Sequence, residues 1–494
     1  MRTMTETAKK KRGMPSSFTI LLLLLAIVAV ITVVISGTSG GAVTAARPSD
    51  FFTAPVKGFA DALPVCLFVM ILGGFLGMMT ETGALDNGIA VLVKKLHGRE
   101  IMLVPVLMLI FSLGGTTYGM CEETVPFYAL LAATMMAAGF DPLVGAATVL
   151  LGAGCGCLGS TVNPFAVGAA VDALTGVGIE VNQTIIIGLG LVLWAVTTLI
   201  SIAFVMNYAK KVKADKGSTI LSMQELKDAE EAHGAAAAEV TKDVKLTGRQ
   251  KAVLGIFAFT FVVMIVGFIP LADLNAGVAG FFDNGVYDAE GNVITQAWSA
   301  VITGLPIGQW YFDEASTWFF VMAIIIGIVG GLSEKKIVGT FITGAADMMS
   351  VVLIIALARG ISVLMASTGL DVYVLDAAAN ALAGLSGVIF APMSFLVYFG
   401  LSFLIPSTSG MATVSMPIMG PLAAELGFAP EVMVMIFSAA IGVVNLFTPT
   451  SGAIMGGLAL AKVEWTTWLK FALKLIVVLT IVCAVILTIA CVMI

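Results

Sequence analysis

The sequence predicts an all-α polytopic membrane protein built from an inverted repeat. Hydrophobic residues make up 59% of the 494 residues and charged residues only 11%, and the mean hydropathy is +1.05. Apolar runs of about 20 residues recur along the chain, which is the length that crosses a bilayer as a helix. Backbone groups inside a bilayer must pair within their own segment, so these runs are expected to be helices. A β-barrel would instead show short alternating segments.

The second observation is that the two halves of the chain interrupt their apolar runs in the same order. Each half has a Gly/Ser/Thr-rich break, then a Gly-Phe-x-Pro corner, then a second polar break. The first half reads GGTTYG at 114–119, GFDP at 139–142 and GSTVNP at 159–164; the second reads PSTSG at 406–410, GFAP at 427–430 and NLFTPTS at 445–451. Paired, interrupted hydrophobic segments in two halves are typical of a secondary transporter and indicate its binding site.

Loop charges give the expected orientation of each helix through the positive-inside rule. Lys9, Lys10, Lys11 and Arg12 place the N-terminus, residues 1–17, in the cytoplasm. Full crossings are expected at 18–36, 62–80, 184–207, 251–270, 317–333, 345–366 and 470–494. The lysines between 210 and 216 must be cytoplasmic, so residues 101–138 must enter from the cytoplasm and return to it. A re-entrant hairpin satisfies this, and two short crossings would also do so.

The same reasoning divides the chain into expected units. The first repeat covers 18–207, with a hairpin at 101–138 and a broken helix at 143–176. A charged linker at 208–250 is expected to be a cytoplasmic surface helix or tether. Residues 251–316 supply a connecting helix and an external loop. The second repeat covers 317–494, with a hairpin at 388–425 entered from outside and a broken helix at 431–461. The extra helix at 251–270 inverts the second half relative to the first.

Three ionisable side chains in apolar segments are the leading candidates for substrate contacts. Glu122 and Glu123 occupy the first hairpin tip, and Arg359 interrupts an apolar helix. A charge inside a membrane is costly and marks function by default. Two adjacent carboxylates in an apolar site require a proton, a metal ion or a cationic partner. Arg359 offers a fork for a carboxylate; the alternative is a buried ion pair that only positions helices.

The polar breaks supply a second set of candidates. Unwound carbonyls, hydroxyls and amides are suitable ligands for Na⁺, and half-helix N-termini favour an anionic group. The alternative is that these side chains only satisfy backbone groups freed at the breaks. The expected substrate contacts, besides the three charged residues, are Thr116, Thr117, Asn163, Ser407, Thr408, Ser409 and Thr450. The expected Na⁺ ligands are Ser160, Thr161, Asn445, Thr448 and Ser451.

Other functional classes lack a matching pattern. The spacing of Cys155 and Cys157 fits no common zinc site, and no histidine is near them in the sequence. The glycine-rich run 152–159 is not followed by the Gly-Lys-Ser/Thr of a phosphate loop, which argues against an ATP-driven pump. No basic face suggests nucleic acid, and no His/Cys/Asp constellation suggests an enzyme. No cofactor is expected beyond a coupling ion, Na⁺ or H⁺.

Four motifs resemble a known family. EETVPF at 122–127, GSTVNPF at 159–165, ARG at 358–360 and PSTSGM at 406–411 are similar to the YfcC-like branch of the C4-dicarboxylate anaerobic carriers, in the ion transporter superfamily. The resemblance implies an elevator-type transporter of the bacterial cytoplasmic membrane. It also implies a homodimer whose scaffold holds a sliding transport domain, with both hairpin tips and both broken helices lining the site.

The resemblance leaves two substrate classes open, since relatives include C4-dicarboxylate carriers and arginine/ornithine exchangers. An exposed pair of glutamates disfavours a dicarboxylate and suits a cationic amino acid, whose α-carboxylate Arg359 would hold. The sequence therefore favours basic amino acid exchange. A C4-dicarboxylate carrier coupled to Na⁺ or H⁺ is the first alternative, and an ion channel is the alternative of another class. Replacing Glu122 or Glu123 by Gln is expected to abolish transport of a cationic substrate.

Overall fold

The computed structural model describes residues 17–85, 87–88, 91, 99–240, 245–269, 271–274, 276–288, 293–405 and 407–494. Positions 9–12 and Pro406 lie outside these ranges, as do Lys94 and Lys95, whose charges are those expected on the cytoplasmic side after the crossing at 62–80. The expected orientation of the N-terminus depends on positions 9–12, and Pro406 begins the first polar break of the second half.

The described chain is almost entirely helical. In chain order the main helices are α1 Ser17–Ser36, α2 Pro48–Asp61, α3 Leu63–Glu81, α4 Leu103–Tyr118, α5 Val125–Ala137, α6 Pro142–Leu158, α7 Ala169–Thr175, α8 Gln183–Ala214, α9 Met223–Val240, α10 Gly248–Phe268, α11 Phe312–Gly330, α12 Glu334–Asp347, α13 Met349–Thr368, α14 Leu370–Leu382, α15 Gly387–Leu404, α16 Thr408–Glu425, α17 Pro430–Val444, α18 Gly452–Leu460 and α19 Trp465–Met493. A π-helical turn, Pro164–Gly168, leads into α7.

The connections contain little else. Single 3₁₀ turns occur at Glu100–Met102, Glu122–Thr124, Lys216–Ser218 and Trp298–Ala300. Two short helices, Leu271–Leu274 and Ala276–Phe282, and an antiparallel ribbon of Val286–Tyr287 with Val293–Thr295 lie between α10 and α11.

Eight helices of the described chain are long and apolar enough to cross a membrane. Seven of them overlap the seven crossings expected from the sequence. The eighth, Glu100–Tyr118, is the first leg of the expected hairpin. At 19 residues it is longer than the short leg that the sequence suggested, whereas α5 has only 13 residues. Since about 20 residues are needed for a full crossing, α5 cannot span the bilayer alone. The protein is a multi-pass membrane protein.

Lipid-facing surface is evident on the long helices. Leu23 and Val34 of α1, Phe259 of α10 and Val485 of α19 are each more than half exposed. Exposed apolar area of this extent is unusual on a soluble surface and matches contact with lipid. The buried side chains form one large core that runs through most helices, and a smaller cluster around Cys66 and Val352 lies where α3 and α13 meet.

Two helix pairs cross through glycines that occupy matching positions in the two halves. Gly58 of α2 lies against Gly360 of α13, and Gly344 of α12 lies against Gly73 and Gly74 of α3. Gly58 and Gly74 are separated by as many residues as Gly344 and Gly360. A Cβ atom added at Gly344 would lie 2.5 Å from the carbonyl oxygen of Gly73. The absence of side chains at these positions lets the backbones approach closely.

Helices α6 and α17 also contact each other through residues at matching positions of the two halves. Gly154 of α6 lies against the side chain of Leu446, and Gly442 of α17 lies against Leu158. Each glycine precedes the leucine of its own half by four residues. The two halves therefore contact each other through equivalent residues at two separate places.

Two connecting segments contain helices, of which only the one in the linker was among the structures expected from the sequence. Residues 37–61 connect the expected crossings 18–36 and 62–80, and α2 occupies the second part of this segment and packs along α13. Hydropathy alone does not predict this amphipathic helix, because it contains a lysine, two aspartates and two prolines. The linker contains α9, a surface helix that packs against α5. Both Glu225 carboxylate oxygens accept backbone bonds, from Ser222 N at 2.7 Å and Glu464 N at 2.9 Å.

Candidate functional site

The helix interruptions of both halves meet at one cavity of about 340 Å³. Its wall includes the α4–α5 connection, the α15–α16 connection and the gaps that precede α7 and α18. The lining residues that are charged or that carry a hydroxyl or amide group are Asp61, Glu122, Glu123, Thr124, Tyr128, Asn163, Arg359, Ser407, Thr408, Ser409, Asn445 and Ser451. A volume of this size suits a small organic ligand. Nine of these twelve residues were candidates from the sequence, and Asp61, Thr124 and Tyr128 were not.

The α4–α5 connection brings its two glutamates to the cavity through a tight turn. Helix α4 ends at Tyr118, and Gly119 continues with a left-handed φ of +81° that favours glycine. A Cβ at Gly119 would also lie 2.5 Å from Asn163 Oδ1. The turn Glu122–Thr124 then starts α5, with Thr124 Oγ1 donating to the Cys121 carbonyl at 2.5 Å. Close packing against Asn163 therefore fixes where the glutamates lie.

Glu122 and Glu123 have different environments within this turn. Glu123 is 1% exposed, and its Oε2 accepts a bond from Cys121 N at 3.0 Å. Glu122 is half-buried and lines the cavity with its neighbour. The Glu123 carboxylate therefore stabilises the turn, and the Glu122 carboxylate is more accessible to a ligand. The sequence could not separate these roles.

Arg359 is paired inside the cavity with a carboxylate that the sequence did not single out. Arg359 Nε donates to Asp61 Oδ2, and the two side chains form an ion pair. Asp61 is the last residue of α2 and Arg359 lies near the middle of α13, which places them together through the Gly58–Gly360 crossing one turn away. Both side chains are about one third to one half exposed, at 45% and 32%.

The side chains of the first break mostly satisfy one another. Asn163 Oδ1 accepts from Phe165 N at 2.9 Å and Ala166 N at 3.3 Å, so it caps the helical turn that follows. Its Nδ2 donates to Ser160 Oγ at 2.9 Å. Thr161 Oγ1 donates to the Thr116 carbonyl at 2.9 Å, and Thr116 Oγ1 donates to Gly159 O at 2.6 Å. These bonds tie the break to the end of α4.

Six predicted contacts lie away from the cavity wall: Thr116, Thr117, Ser160, Thr161, Thr448 and Thr450. Thr117 Oγ1 donates to Leu113 O at 2.6 Å, within its own helix. The hydroxyls of Thr448 and Thr450 are 2.7 Å apart and bond to each other. The direct roles predicted for these six residues in binding substrate or Na⁺ remain predictions, and their observed bonds are internal.

The second break leaves polar atoms available. Asn445 Oδ1 is buried and has no hydrogen-bond partner among the described residues. Ser451 precedes α18 at the N-cap position, and its side chain makes no capping bond there. Ser407, at the N-cap of α16, accepts from Gly410 N at 3.2 Å. A buried carbonyl oxygen without a partner is costly, so Asn445 is an unsatisfied acceptor at the cavity.

A second cavity, of about 760 Å³, lies between α3, α5 and α12. Lys336 Nζ and Glu81 Oε1 in its wall are 3.1 Å apart, and Asp347 and His233 also line it. Asp347 precedes Thr368 by the same number of residues as Asp61 precedes Thr82. Asp61 and Asp347 thus occupy matching positions, one in each cavity. No group of three His, Cys, Asp or Glu side chains suited to a metal occurs among the described residues.

The chain matches the family model described as DcuC, C4-dicarboxylate anaerobic carrier, over residues 44–492. It belongs to this family. The match confirms the resemblance drawn from the four motifs, and it covers both sets of interruptions that form the cavity. The protein is therefore a secondary transporter of the bacterial inner membrane that acts on a small molecule.

Two curated relatives align with most of the chain. An uncharacterized protein of Haemophilus influenzae is 30% identical over 430 residues, which are 86% of this chain and 75% of that protein. A protein of Escherichia coli named "Putative basic amino acid antiporter YfcC" is 28% identical over 429 residues, covering 85% and 75%. Among solved structures, the YdaH transporter of Alcanivorax borkumensis is 16% identical, with a TM-score of 0.47 and coverage of 96% and 98%.

Proposed function

We propose that this protein exchanges basic amino acids of the arginine/ornithine type across the cytoplasmic membrane by an elevator mechanism. The observation that carries the proposal is the charge balance of the cavity. Three carboxylates, Asp61, Glu122 and Glu123, line it together with one guanidinium, that of Arg359. Asp61 already pairs with Arg359, and no other cationic side chain is among the described residues that line the cavity. A substrate with a cationic side chain would give the glutamates an opposite charge.

An anionic substrate fits this cavity less well. A C4-dicarboxylate would bring two further negative charges to a wall that already has three carboxylates, and like charges in a low-dielectric site repel strongly. The family description and the presence of Arg359 in the cavity keep a dicarboxylate carrier as the second candidate. In that case Arg359 would be the main anion contact, and the glutamates would bind the coupling H⁺ or Na⁺. The name of the E. coli relative favours the first candidate.

The elevator mechanism rests on how the two halves contact each other. An inverted repeat would produce contacts that occur twice, with the roles of the two halves exchanged. Gly58–Gly360 and Gly344–Gly73 are one such pair of contacts, and Gly154–Leu446 and Gly442–Leu158 are another. The α4–α5 and α15–α16 connections would be the tips of the two re-entrant hairpins. Helices α2, α3, α12 and α13 would form the scaffold, which is also where a homodimer would form. The glutamates would then move from the level of Asp61 towards that of Asp347.

Coupling to Na⁺ is proposed at the second break. Asn445 offers a buried carbonyl oxygen that has no hydrogen-bond partner among the described residues, and Ser451, whose hydroxyl makes no capping bond, lines the same cavity. Oxygen ligands of this type suit a hard cation. Proton coupling through Glu122 is the alternative, because a carboxylate in an apolar site can exchange a proton during transport.

Counterflow in proteoliposomes tests the proposal. Vesicles loaded with unlabelled ornithine should accumulate external labelled arginine above its equilibrium level, and vesicles loaded with succinate should not accumulate labelled fumarate. The reverse result would make the protein a dicarboxylate carrier and contradict the proposal. Equilibration of either label without overshoot, together with ion currents, would indicate a channel, because a channel shows no counterflow.

A further inference from the structure

We infer that Asp61 and Arg359 together bind the α-ammonium and α-carboxylate groups of an amino acid substrate, which makes Asp61 a specificity-determining residue. This inference rests on the proposed transport of basic amino acids and extends it to the other end of the substrate. With the hairpin tip at the level of Asp61, Glu122 would bind the cationic side chain, and the ion pair would bind the groups on the α-carbon.

The geometry of the pair supports this assignment. An α-amino acid has opposite charges on adjacent atoms of a single carbon. Arg359 and Asp61 are the only directly bonded pair of opposite charges among the described residues that line the cavity. They therefore present an adjacent cation and anion to any ligand in the cavity. A ligand with a carboxylate and an ammonium on one carbon complements both charges at once.

Both partners keep unused bonding capacity. A guanidinium has five N–H donors, and a carboxylate accepts through two oxygens. Among the described residues, the guanidinium makes one hydrogen bond, from Nε to Asp61 Oδ2. Its two terminal nitrogens remain to bind a carboxylate in the bidentate manner typical of arginine. Asp61 Oδ1 remains to accept from an ammonium group.

The pair is also held on rigid elements. Asp61 ends α2 and Arg359 belongs to α13, and these helices pack through Gly58 and Gly360 with no side chain between them. Rigid placement lets the pair recognise a fixed spacing of charges rather than a single charge. The matching carboxylate of the other half, Asp347, faces Gly73 at the position equivalent to Arg359, so the arginine is specific to the cavity with the glutamates.

Two analogues of arginine separate the contributions of the two residues. Agmatine lacks the α-carboxylate and keeps the amine, whereas Nα-acetylarginine keeps the carboxylate and lacks the ammonium. Each competes with labelled arginine during counterflow in proteoliposomes. The unsubstituted protein should bind both analogues about tenfold or more weakly than arginine, since each loses charge-assisted bonds.

Asp61→Asn should weaken the binding of arginine and agmatine by about tenfold or more and leave the binding of Nα-acetylarginine unchanged. Arg359→Gln should weaken the binding of arginine and Nα-acetylarginine and leave that of agmatine unchanged. Asp172→Asn, which removes an exposed carboxylate of α7 away from the cavity, serves as the matched control and should change none of the three. Asp61→Glu keeps the charge and should retain competition by agmatine better than Asp61→Asn does.

A purely structural role for Asp61 gives a different pattern. If Asp61 only positions Arg359, Asp61→Asn should weaken the binding of arginine and Nα-acetylarginine equally and leave the binding of agmatine unchanged. That result would overturn the inference. The thermal unfolding temperature of each purified variant identifies misfolding, and Asp61→Glu then decides the question. Absence of arginine counterflow in the unsubstituted protein would contradict the proposed function itself, which is a separate result.

Discussion

Gly344 and Gly73 are in backbone contact across two helices from opposite halves of the chain. The space for a Cβ at Gly344 is occupied by the Gly73 carbonyl oxygen, 2.5 Å away. On the same helix, Gly339 has open space around it. Replacing either of these two glycines of α12 by alanine adds the same methyl group, which would contact α3 at Gly344 and lie in open space at Gly339.

Gly344→Ala and Gly339→Ala should have opposite effects on stability. Alanine in a helix is favoured over glycine by about 0.5–1 kcal/mol, so Gly339→Ala should raise the unfolding temperature slightly. Gly344→Ala should lower it, because inserting an atom into a tight contact costs about 1–3 kcal/mol. Differential scanning fluorimetry of the detergent-solubilised variants measures both changes. Equal shifts would contradict the close contact between α12 and α3.

The two glutamates of the turn should respond differently to substitution. Glu122→Gln removes the accessible charge and should raise the KM for arginine about tenfold or more. Glu123→Gln keeps an acceptor for Cys121 N and should affect KM less, whereas Glu123→Ala should also lower the unfolding temperature. Equal KM changes for both Gln variants would show that both carboxylates contact the substrate and would contradict the separate roles given to them here.

Asn445 allows a test of the coupling ion. If Na⁺ binds at its side-chain oxygen, Asn445→Ala should raise the half-saturating Na⁺ concentration for arginine exchange about tenfold. Ser438 belongs to α17, the helix that Asn445 follows. Its hydroxyl is also buried with no hydrogen-bond partner among the described residues, and it does not line the cavity. Ser438→Ala is therefore the matched control. Exchange that is independent of Na⁺ but sensitive to a pH gradient would shift the coupling role to Glu122.

Attachment of the linker helix α9 should weaken in acid. His233 Nε2 donates to the Leu460 carbonyl at 3.0 Å, and burial, together with nearby Lys462, lowers the pKa of His233. The released helix would therefore bind a proton more readily than the attached one. Attachment is expected to be at full strength above about pH 6.5, the usual histidine pKa, and to weaken as the pH falls below it.

Hydrogen exchange of residues 223–240 at pH 7.5 and 5.5, corrected for intrinsic rates, measures this effect. Protection should decrease at the lower pH. His233→Gln keeps a donor for Leu460 but does not titrate, and its protection should be equal at the two pH values. A decrease of the same size in that variant would assign the effect to another group.

Much of the cavity could be predicted because charge inside a membrane is costly and because interruptions recur in both halves. Glu122, Glu123 and Arg359 were predicted on the first ground, and Asn445 and Ser407 on the second. All five line one cavity. The shared order of the interruptions in the two halves was enough to predict that residues from distant segments line one site.

Asp61 was missed because its meaning depends on a partner 298 residues away. At the end of a modestly polar segment it resembles an ordinary loop aspartate, and only the crossing of α2 with α13 places it beside Arg359. The hydroxyls of Thr116 and Thr161 show the converse limit. Sequence indicates that a hydroxyl is present at a break, but whether it bonds to its own backbone or faces a ligand depends on side-chain direction.

The exchanged glycine contacts also bear on how the protein is made. Helix α2 is synthesised early, yet the surface around Gly58 packs on α13, and Gly73 of α3 packs on α12. Both partners emerge only in the last third of the chain. The first half must therefore remain incompletely packed in the bilayer during translation, and its close-packed faces need lipid or an insertion chaperone to cover them until the second half arrives.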